Sequence, residues 1–229
     1  MTDQMKLLTP TNSIARRPDW MEMMRLVVIT ACENDLGRKH LDVAVAAVHA
    51  GCRAIQLRDK DISDRAFTET ALRIQALCRE SGALFFVNDR APIAAALGCA
   101  VHLGFDDMDV ARAREMLGPE TIIGYSPENA PDAAAAVDSG ADYMGVGPVF
   151  VTPTKSDAGE PLGVEGLSSV CDDSIAPVIA VGGINAQNAA AVAGAGARGI
   201  AVVTAVSRAR DMSVAVKDLM RAFESGVKG

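Results

Sequence analysis

The stretch Ala54-Ile55-Gln56-Leu57-Arg58-Asp59-Lys60 carries the pattern that decides the fold. A short apolar run closes in charged residues, and a segment with helical periodicity follows, capped at its start by Ser63 or Asp64. Continuous rather than alternating apolarity is typical of a strand covered on both faces, as in parallel sheets with helical crossovers. The stretch therefore predicts one strand followed by one helix.

The same unit recurs along the chain from Leu26. Eight apolar runs are found, at residues 26–29, 54–57, 84–87, 100–103, 121–124, 143–146, 178–181 and 200–203. Helices are predicted between them, including one that begins at Asp109 and ends before Gly118-Pro119. Eight such units predict an α/β fold, a single (β/α)₈ TIM barrel, over residues 25–229, with an open doubly wound sheet as the alternative. Residues 1–24 are expected to form an N-terminal tail or extra turn.

Composition narrows the class of protein. The chain has 229 residues, of which 49% are hydrophobic and only 4% aromatic, so one aliphatic core is expected. Lys and Arg number 22 against 29 Asp and Glu, for a formal charge of −7. Nucleic acid and membrane surfaces are therefore not expected as partners, and an anionic ligand must be held by local groups.

The five cysteines are scattered and form no CxxC pair. We interpret them as reduced core thiols of a cytoplasmic protein and expect no metal cluster. The first 24 residues contain no apolar run long enough for a signal or a membrane span.

In a barrel of this kind the chemistry lies at the carboxyl ends of the strands. At the end of the second run, Gln56, Arg58 and Lys60 share one face because side chains alternate along a strand. Burying two cations and an amide is costly unless an anion meets them. The face therefore favours an anionic ligand, the alternative being a strand that simply ends in solvent at Arg58.

Acidic residues follow the next two runs. Asp89 closes the third, and Asp106 and Asp107 follow the fourth. Mg²⁺ takes one or two protein carboxylates together with water and substrate phosphate, so Asp89 with Asp107, or with Asp106, predicts a magnesium site. Helix caps or solvated loop acids are the alternative.

The loop after the sixth run, Gly147-Pro148-Val149-Phe150-Val151-Thr152-Pro153-Thr154-Lys155-Ser156-Asp157, is the candidate active-site loop. Proline restrains its neighbours, so Thr152 and Thr154 are expected to face the same way. With Gly183 and Thr204, which follow the seventh and eighth runs, they form a neutral set of donors suited to a monophosphate. Lys155 joins the cationic side, which suits a diphosphate. A solvated loop is the alternative.

None of the three histidines adjoins a nucleophile in this pattern, and His102 is interpreted as a satisfied barrel residue. Covalent hydrolysis by a Ser-His-Asp or Cys-His arrangement has little support.

Six motifs together resemble the thiamine phosphate synthase family, over a match that runs from about Leu26 to about Val206. They are Gln56-Leu57-Arg58-Asp59-Lys60, Val87-Asn88-Asp89-Arg90, Val101-His102-Leu103-Gly104, Gly124 with Ser126, Thr152-Pro153-Thr154-Lys155, and Val181-Gly182-Gly183-Ile184.

The resemblance implies a Mg²⁺-dependent transferase of thiamine biosynthesis. In this reaction a thiazole phosphate displaces diphosphate from 4-amino-2-methyl-5-hydroxymethylpyrimidine diphosphate, through a dissociative step. It assigns Lys155, Ser126 and Arg58 to catalysis and Asp89 and Asp107 to the metal. The implied pyrimidine diphosphate ligands are Gln56, Arg58, Lys60, Asn88, Ser126 and Lys155, and the implied thiazole phosphate ligands are Thr152, Thr154, Gly183, Val203 and Thr204.

The chain departs from the family pattern at four positions. Phe105 stands where Gln is usual, Pro127 follows the Ser, and Val27 and Ala31 replace the common Tyr and Asp. A thiazole tautomerase and a non-enzymatic ligand sensor of the same pathway are the alternatives. The partners expected are small phosphorylated molecules, and a homo-oligomer is possible, with its size and the order of substrate binding left open.

Overall fold

The computed structural model describes residues 18–152 and 159–227. Within them, eight parallel strands pair in sequence order and the last pairs with the first, which closes a barrel. The strands are β1 (Leu26–Thr30), β2 (Ala54–Leu57), β3 (Leu84–Asn88), β4 (Ala100–Gly104), β5 (Ile123–Ser126), β6 (Tyr143–Val146), β7 (Val178–Val181) and β8 (Gly199–Val202). The predicted (β/α)₈ barrel is thus confirmed, and the open sheet is excluded.

Apart from a short helix that precedes β1, the α-helices follow the strands and cover the outside of the barrel. In the described residues they are α1 (Trp20–Met23), α2 (His40–His49), α3 (Asp64–Ser81), α4 (Ala91–Leu97), α5 (Val110–Leu117), α6 (Ala130–Asp138), α7 (Gly163–Asp173), α8 (Ala189–Gly194), α9 (Thr204–Ser207) and α10 (Met212–Gly226). Two predicted caps are present, since Ser63 Oγ accepts from Ala66 N at 3.3 Å and Asp109 Oδ1 accepts from Arg112 N at 3.2 Å.

Two apolar clusters hold the layers together, one between the barrel and the helices and one inside the barrel. The inner cluster contains alternate residues of the strands, such as Val27, Phe86 and Tyr143. At the amino ends of the strands Met23 and Met24 complete it, and the Trp20 ring lies 6.5 Å from the Tyr143 ring. The segment just before β1 therefore forms the floor of the barrel.

The fifth strand lies two residues later than the sequence predicts, at Ile123–Ser126 instead of 121–124. Thr121 belongs to the preceding loop because its Oγ1 donates to Leu117 O at 2.9 Å and its carbonyl accepts from Arg114 Nη1 at 2.6 Å. Ser126 in turn pairs with Gly104 of β4. This shift brings the Ser126 side chain to the carboxyl end of the barrel.

The cysteines divide by environment. All five are free, and Cys52, Cys78 and Cys99 are buried as expected of core thiols. Burial raises the pKa of the Cys52 thiol to about 11, so it is protonated at neutral pH. Cys32 is exposed in the loop after β1, so the interpretation as a core thiol is wrong for that residue.

Among the described helices none is both long and apolar enough to cross a membrane. The proposed boundary between residues 1–24 and the barrel stays a prediction, since residues 1–17 lie outside the described part.

Candidate active site

A cavity of about 980 Å³ opens at the carboxyl ends of the strands. The predicted site residues that the structure describes all line it, and they are Gln56, Arg58, Lys60, Asn88, Asp89, Asp107, Ser126, Thr152, Gly183, Val203 and Thr204. Thr154 and Lys155 lie outside the described residues. The closed barrel brings together side chains that are separated by up to about 150 positions along the chain.

The end of β2 presents alternate residues to the cavity. Gln56 is buried, Arg58 is half-buried and Lys60 is exposed, and all three line the cavity, as the alternation predicts. Asp59, which stands between the two cations, does not line it. Its Oδ2 lies 2.9 Å from His40 Nε2 at the start of α2. The carboxylate is thus held by a helix rather than by the neighbouring cations.

Two carboxylates meet at the ends of β3 and β4. Burial and a hydrogen bond with Asp107 raise the pKa of Asp89 to about 6, and Lys60, whose Nζ lies 3.5 Å from Asp89 Oδ2, opposes this rise only in part. Adjacent acids of this kind are stabilised as anions by a divalent cation. The residues present therefore fit a magnesium ion.

The structure distinguishes between the two acids that follow β4. Asp107 Oδ2 accepts from Gly104 N at 2.7 Å, which turns this carboxylate toward Asp89. Asp106 is exposed on the rim of the cavity. Asp107 is thus better suited than Asp106 to form a metal site together with Asp89.

Asp89 has an unusual backbone. Its φ is 64°, and among the described residues no other non-glycine residue has a positive φ. Asp and Asn tolerate this left-handed conformation better than other residues with a Cβ. The backbone at Asp89 is also fixed by its N–H, which donates to His102 O at 2.9 Å.

Sequence reasoning missed the surroundings of Ser126. The imidazole of His102 lies between two hydroxyls, with Nε2 at 2.9 Å from Ser126 Oγ and Nδ1 at 3.0 Å from Tyr143 Oη. Burial lowers the pKa of His102 to about 4, against a smaller opposite effect of Asp107, so the ring is neutral at pH 7. His102 is satisfied, as predicted, but it also lines the cavity. The alternation of side chains along β4 could have revealed this, because His102 is two residues after Ala100, which lies in the inner cluster, and therefore shares its face.

The loop after β6 is bound to the end of β7. Val149 N donates to Val181 O at 2.9 Å and Phe150 N donates to Gly182 O at 3.0 Å. A Cβ on Gly183, whose φ is 64°, would lie 2.6 Å from Val151 O. Glycine is therefore required where this loop, which leads to Thr152, crosses the β7 end.

The cavity has two chemically different sides. The ends of β2, β3 and β4 supply cations, carboxylates and amides, whereas the ends of β7 and β8 supply Gly183, Val203 and Thr204. The second side is neutral and close to the loops that bind phosphate in many barrels of this fold. Three of the four departures from the family pattern, Val27, Phe105 and Pro127, also line the cavity, and Phe105 is 53% exposed.

Comparison with known proteins gives a consistent result. The family model described as thiamine monophosphate synthase, TMP-TENI, matches residues 26–206. A thiamine-phosphate synthase of Chloroflexus aurantiacus is 44% identical over 208 residues, which are 90% of this chain and 94% of that protein. The bifunctional thiamine biosynthesis protein ThiM/ThiE of Symbiobacterium thermophilum is 42% identical over 95% of this chain, which spans 45% of that longer protein.

A solved structure also matches. The thiamine phosphate pyrophosphorylase of Pyrococcus furiosus superposes with a TM-score of 0.81 at 37% identity, covering 91% of this chain and 99% of the other.

Proposed function

The chain belongs to the thiamine monophosphate synthase family, and we propose that it joins a hydroxymethylpyrimidine diphosphate to a thiazole phosphate, releasing diphosphate and forming thiamine phosphate. The observation that carries this proposal is the division of one cavity into a charged side and a neutral side. A diphosphate suits the first and a monophosphate suits the second. Both substrates then meet within one cavity.

The proposed reaction needs no general base. The C–O bond between the pyrimidine methylene carbon and the diphosphate breaks, and the diphosphate takes the electron pair. The ring nitrogen of the thiazole then gives its lone pair to that carbon. Since this nitrogen carries no proton, none has to be removed, which agrees with a neutral His102 that is engaged with two hydroxyls.

The charge that develops on the leaving diphosphate is the main energetic problem. Arg58 and Lys60 line the cavity, and we assign them, together with Lys155 and Ser126, to the stabilisation of that charge. Gln56 and Asn88, both buried at strand ends, offer amide donors and acceptors to the pyrimidine diphosphate.

We propose that Asp89 and Asp107 hold Mg²⁺. When bound, the ion supplies positive charge to the phosphate oxygens of the substrate. The raised pKa of Asp89 supports this assignment, because two adjacent carboxylates are costly to ionise without a cation. Thr152, Thr154, Gly183, Val203 and Thr204 are assigned to the thiazole phosphate.

The test is reconstitution of the reaction. The purified protein is mixed with both substrates, with Mg²⁺ and with EDTA, and thiamine phosphate is quantified by chromatography. Metal-dependent product is the expected result. Substrate binding with no product would support a ligand sensor, isomerisation of the thiazole alone would support a tautomerase, and either outcome would overturn the proposal.

A further inference from the structure

A serine hydroxyl can donate a hydrogen bond or accept one, and its direction decides what it offers to a ligand. At Ser126 the direction is set by a chain of two bonds that runs into the barrel, from Ser126 Oγ to His102 Nε2 at 2.9 Å and from His102 Nδ1 to Tyr143 Oη at 3.0 Å. All three residues contribute to the wall of the cavity, and Tyr143, which is only 2% exposed, is the buried end of this chain of bonds. The chain therefore connects a buried phenol to the candidate active site.

The buried phenol determines the polarity of this chain of hydrogen bonds, that is, which group donates in each bond. A phenol O–H that is removed from water needs an acceptor. Among the residues that the structure describes, the hydrogen-bond partner of Tyr143 Oη is His102 Nδ1, so the phenol donates and Nδ1 accepts. A neutral imidazole has one N–H, which must then be on Nε2. That N–H donates to Ser126 Oγ and leaves the serine proton directed elsewhere.

The geometry around the chain leaves the three groups little freedom. A Cβ on Gly145 would lie 2.8 Å from His102 Cε1 and 2.8 Å from Ser126 Oγ, and a Cβ on Gly124 would overlap the Tyr143 ring. Glycines on β5 and β6 thus provide the space that the two rings fill. The Phe86 ring packs edge-on against Tyr143, with ring centroids 6.1 Å apart, on another side.

We propose that Tyr143 and His102 are positioning residues that orient Ser126 as a hydrogen-bond donor toward an anionic oxygen of the ligand in the cavity. The identity of that ligand, the pyrimidine diphosphate, rests on the proposed function, but the polarity of the chain does not. A donor at this position stabilises the negative charge of a departing diphosphate, whereas a serine lone pair would repel it.

The first test reads the polarity directly. The protein has three histidines, so ¹⁵N-histidine labelling gives few signals, and His102→Gln assigns the one in question. The expected spectrum has a protonated, pyrrole-like Nε2 and an unprotonated, pyridine-like Nδ1 on His102. A proton on Nδ1 would overturn the proposal. This measurement needs no substrate, so it stands even if the chain lacks synthase activity.

The second test asks whether Tyr143 acts through Ser126. Tyr143→Phe is expected to lower kcat about tenfold, the size of one lost hydrogen bond, while KM for the thiazole phosphate changes by less than about twofold. Tyr125→Phe is the matched control, because the Tyr125 hydroxyl donates to Asp132 and does not line the cavity, and its kcat is expected to be unchanged.

The double variant, Tyr143→Phe with Ser126→Ala, completes a double-mutant cycle. If the effect passes through Ser126, adding Tyr143→Phe to Ser126→Ala costs nothing further. Multiplied losses in the double variant would show a role independent of Ser126 and would overturn the proposal. Absence of thiamine phosphate from the unsubstituted protein would instead overturn the proposed function and leave the NMR result to decide the polarity.

Discussion

His40 Nε2 and Asp59 Oδ2 lie 2.9 Å apart, and this bond ties the β2 end to the first turn of α2. The other ring nitrogen, His40 Nδ1, lies 2.9 Å from Thr30 Oγ1 at the end of β1. His40 therefore connects two adjacent strand ends. Since Asp59 stands between Arg58 and Lys60 in sequence, the bond also restrains the backbone that carries these two cations.

His40→Ala is expected to raise KM for the pyrimidine diphosphate about fivefold, because the β2 end loses a bond to a charged group worth about 1.5–3 kcal/mol and becomes less ordered. KM for the thiazole phosphate should change little. Steady-state kinetics with each substrate varied in turn checks this. His49→Ala, an exposed residue on the same helix, is the control and should leave both values unchanged.

Gly183→Ala tests the crossing of the β6 and β7 loops. The new Cβ would lie 2.6 Å from Val151 O, so the backbone that leads to Thr152 must move, and thiazole phosphate affinity is expected to fall at least about tenfold. Calorimetric titration measures it.

Gly98→Ala is a matched control for this variant. Its φ of 63° brings the same backbone strain, but nothing lies within 4 Å of the added Cβ. It should lose about 1–2 kcal/mol of stability and keep its affinity. Equal affinity in both variants would contradict a role for the loop crossing.

Magnesium binding is expected to depend on pH. Asp89 is protonated below its pKa of about 6, and a proton on this carboxyl competes with the metal. Calorimetric titration should therefore show weaker Mg²⁺ binding at pH 5.5 than at pH 7.5. Asp89→Asn should bind weakly at both values. An unchanged Mg²⁺ affinity in this variant would remove Asp89 from the metal site.

The same raised pKa has a consequence for stability without metal. A carboxyl whose pKa is higher in the folded protein stabilises it at low pH, and this contribution is lost as the pH rises from about 4 through about 6. At pH 8 in EDTA, Asp89→Asn removes the penalty and should raise Tm by about 2–4 °C. Asn tolerates the φ of 64° at this position, so backbone strain does not confuse the comparison. Thermal denaturation followed by circular dichroism is the measurement.

Lys155→Ala is expected to reduce turnover far more than thiazole phosphate binding, because we assign this cation to the departing diphosphate. Comparing kcat with the dissociation constant of the thiazole phosphate separates the two effects. Equal losses in both would place Lys155 on the other substrate.

Much of this structure could be predicted from the sequence because the barrel repeats a simple signal. Continuous apolar runs identify buried parallel strands, and the residues at the end of each run and just after it mark positions at the active end. Gln56, Asp89 and Gly183 could all be located in this way, and all line the cavity.

The remaining features depend on contacts that are distant in sequence. The apolar run predicts a strand that begins at Thr121, but the hydrogen bond from Arg114 to the Thr121 carbonyl keeps this residue in a loop. The predicted bounds of β5 are therefore wrong. The alternation of side chains along the strand turns Asp59 away from the cavity, but it does not predict that His40 binds this carboxylate. Hydrophobic periodicity carries no information about such pairs.

The floor of the barrel has one more consequence. Trp20, the single tryptophan of the chain, lies 6.5 Å from the ring of Tyr143, whose hydroxyl leads through His102 to Ser126. The intrinsic tryptophan fluorescence of the protein therefore comes from this one residue. Fluorescence from one indole at the bottom of the barrel should register, without any label, when a ligand disturbs the hydrogen bonds at the top.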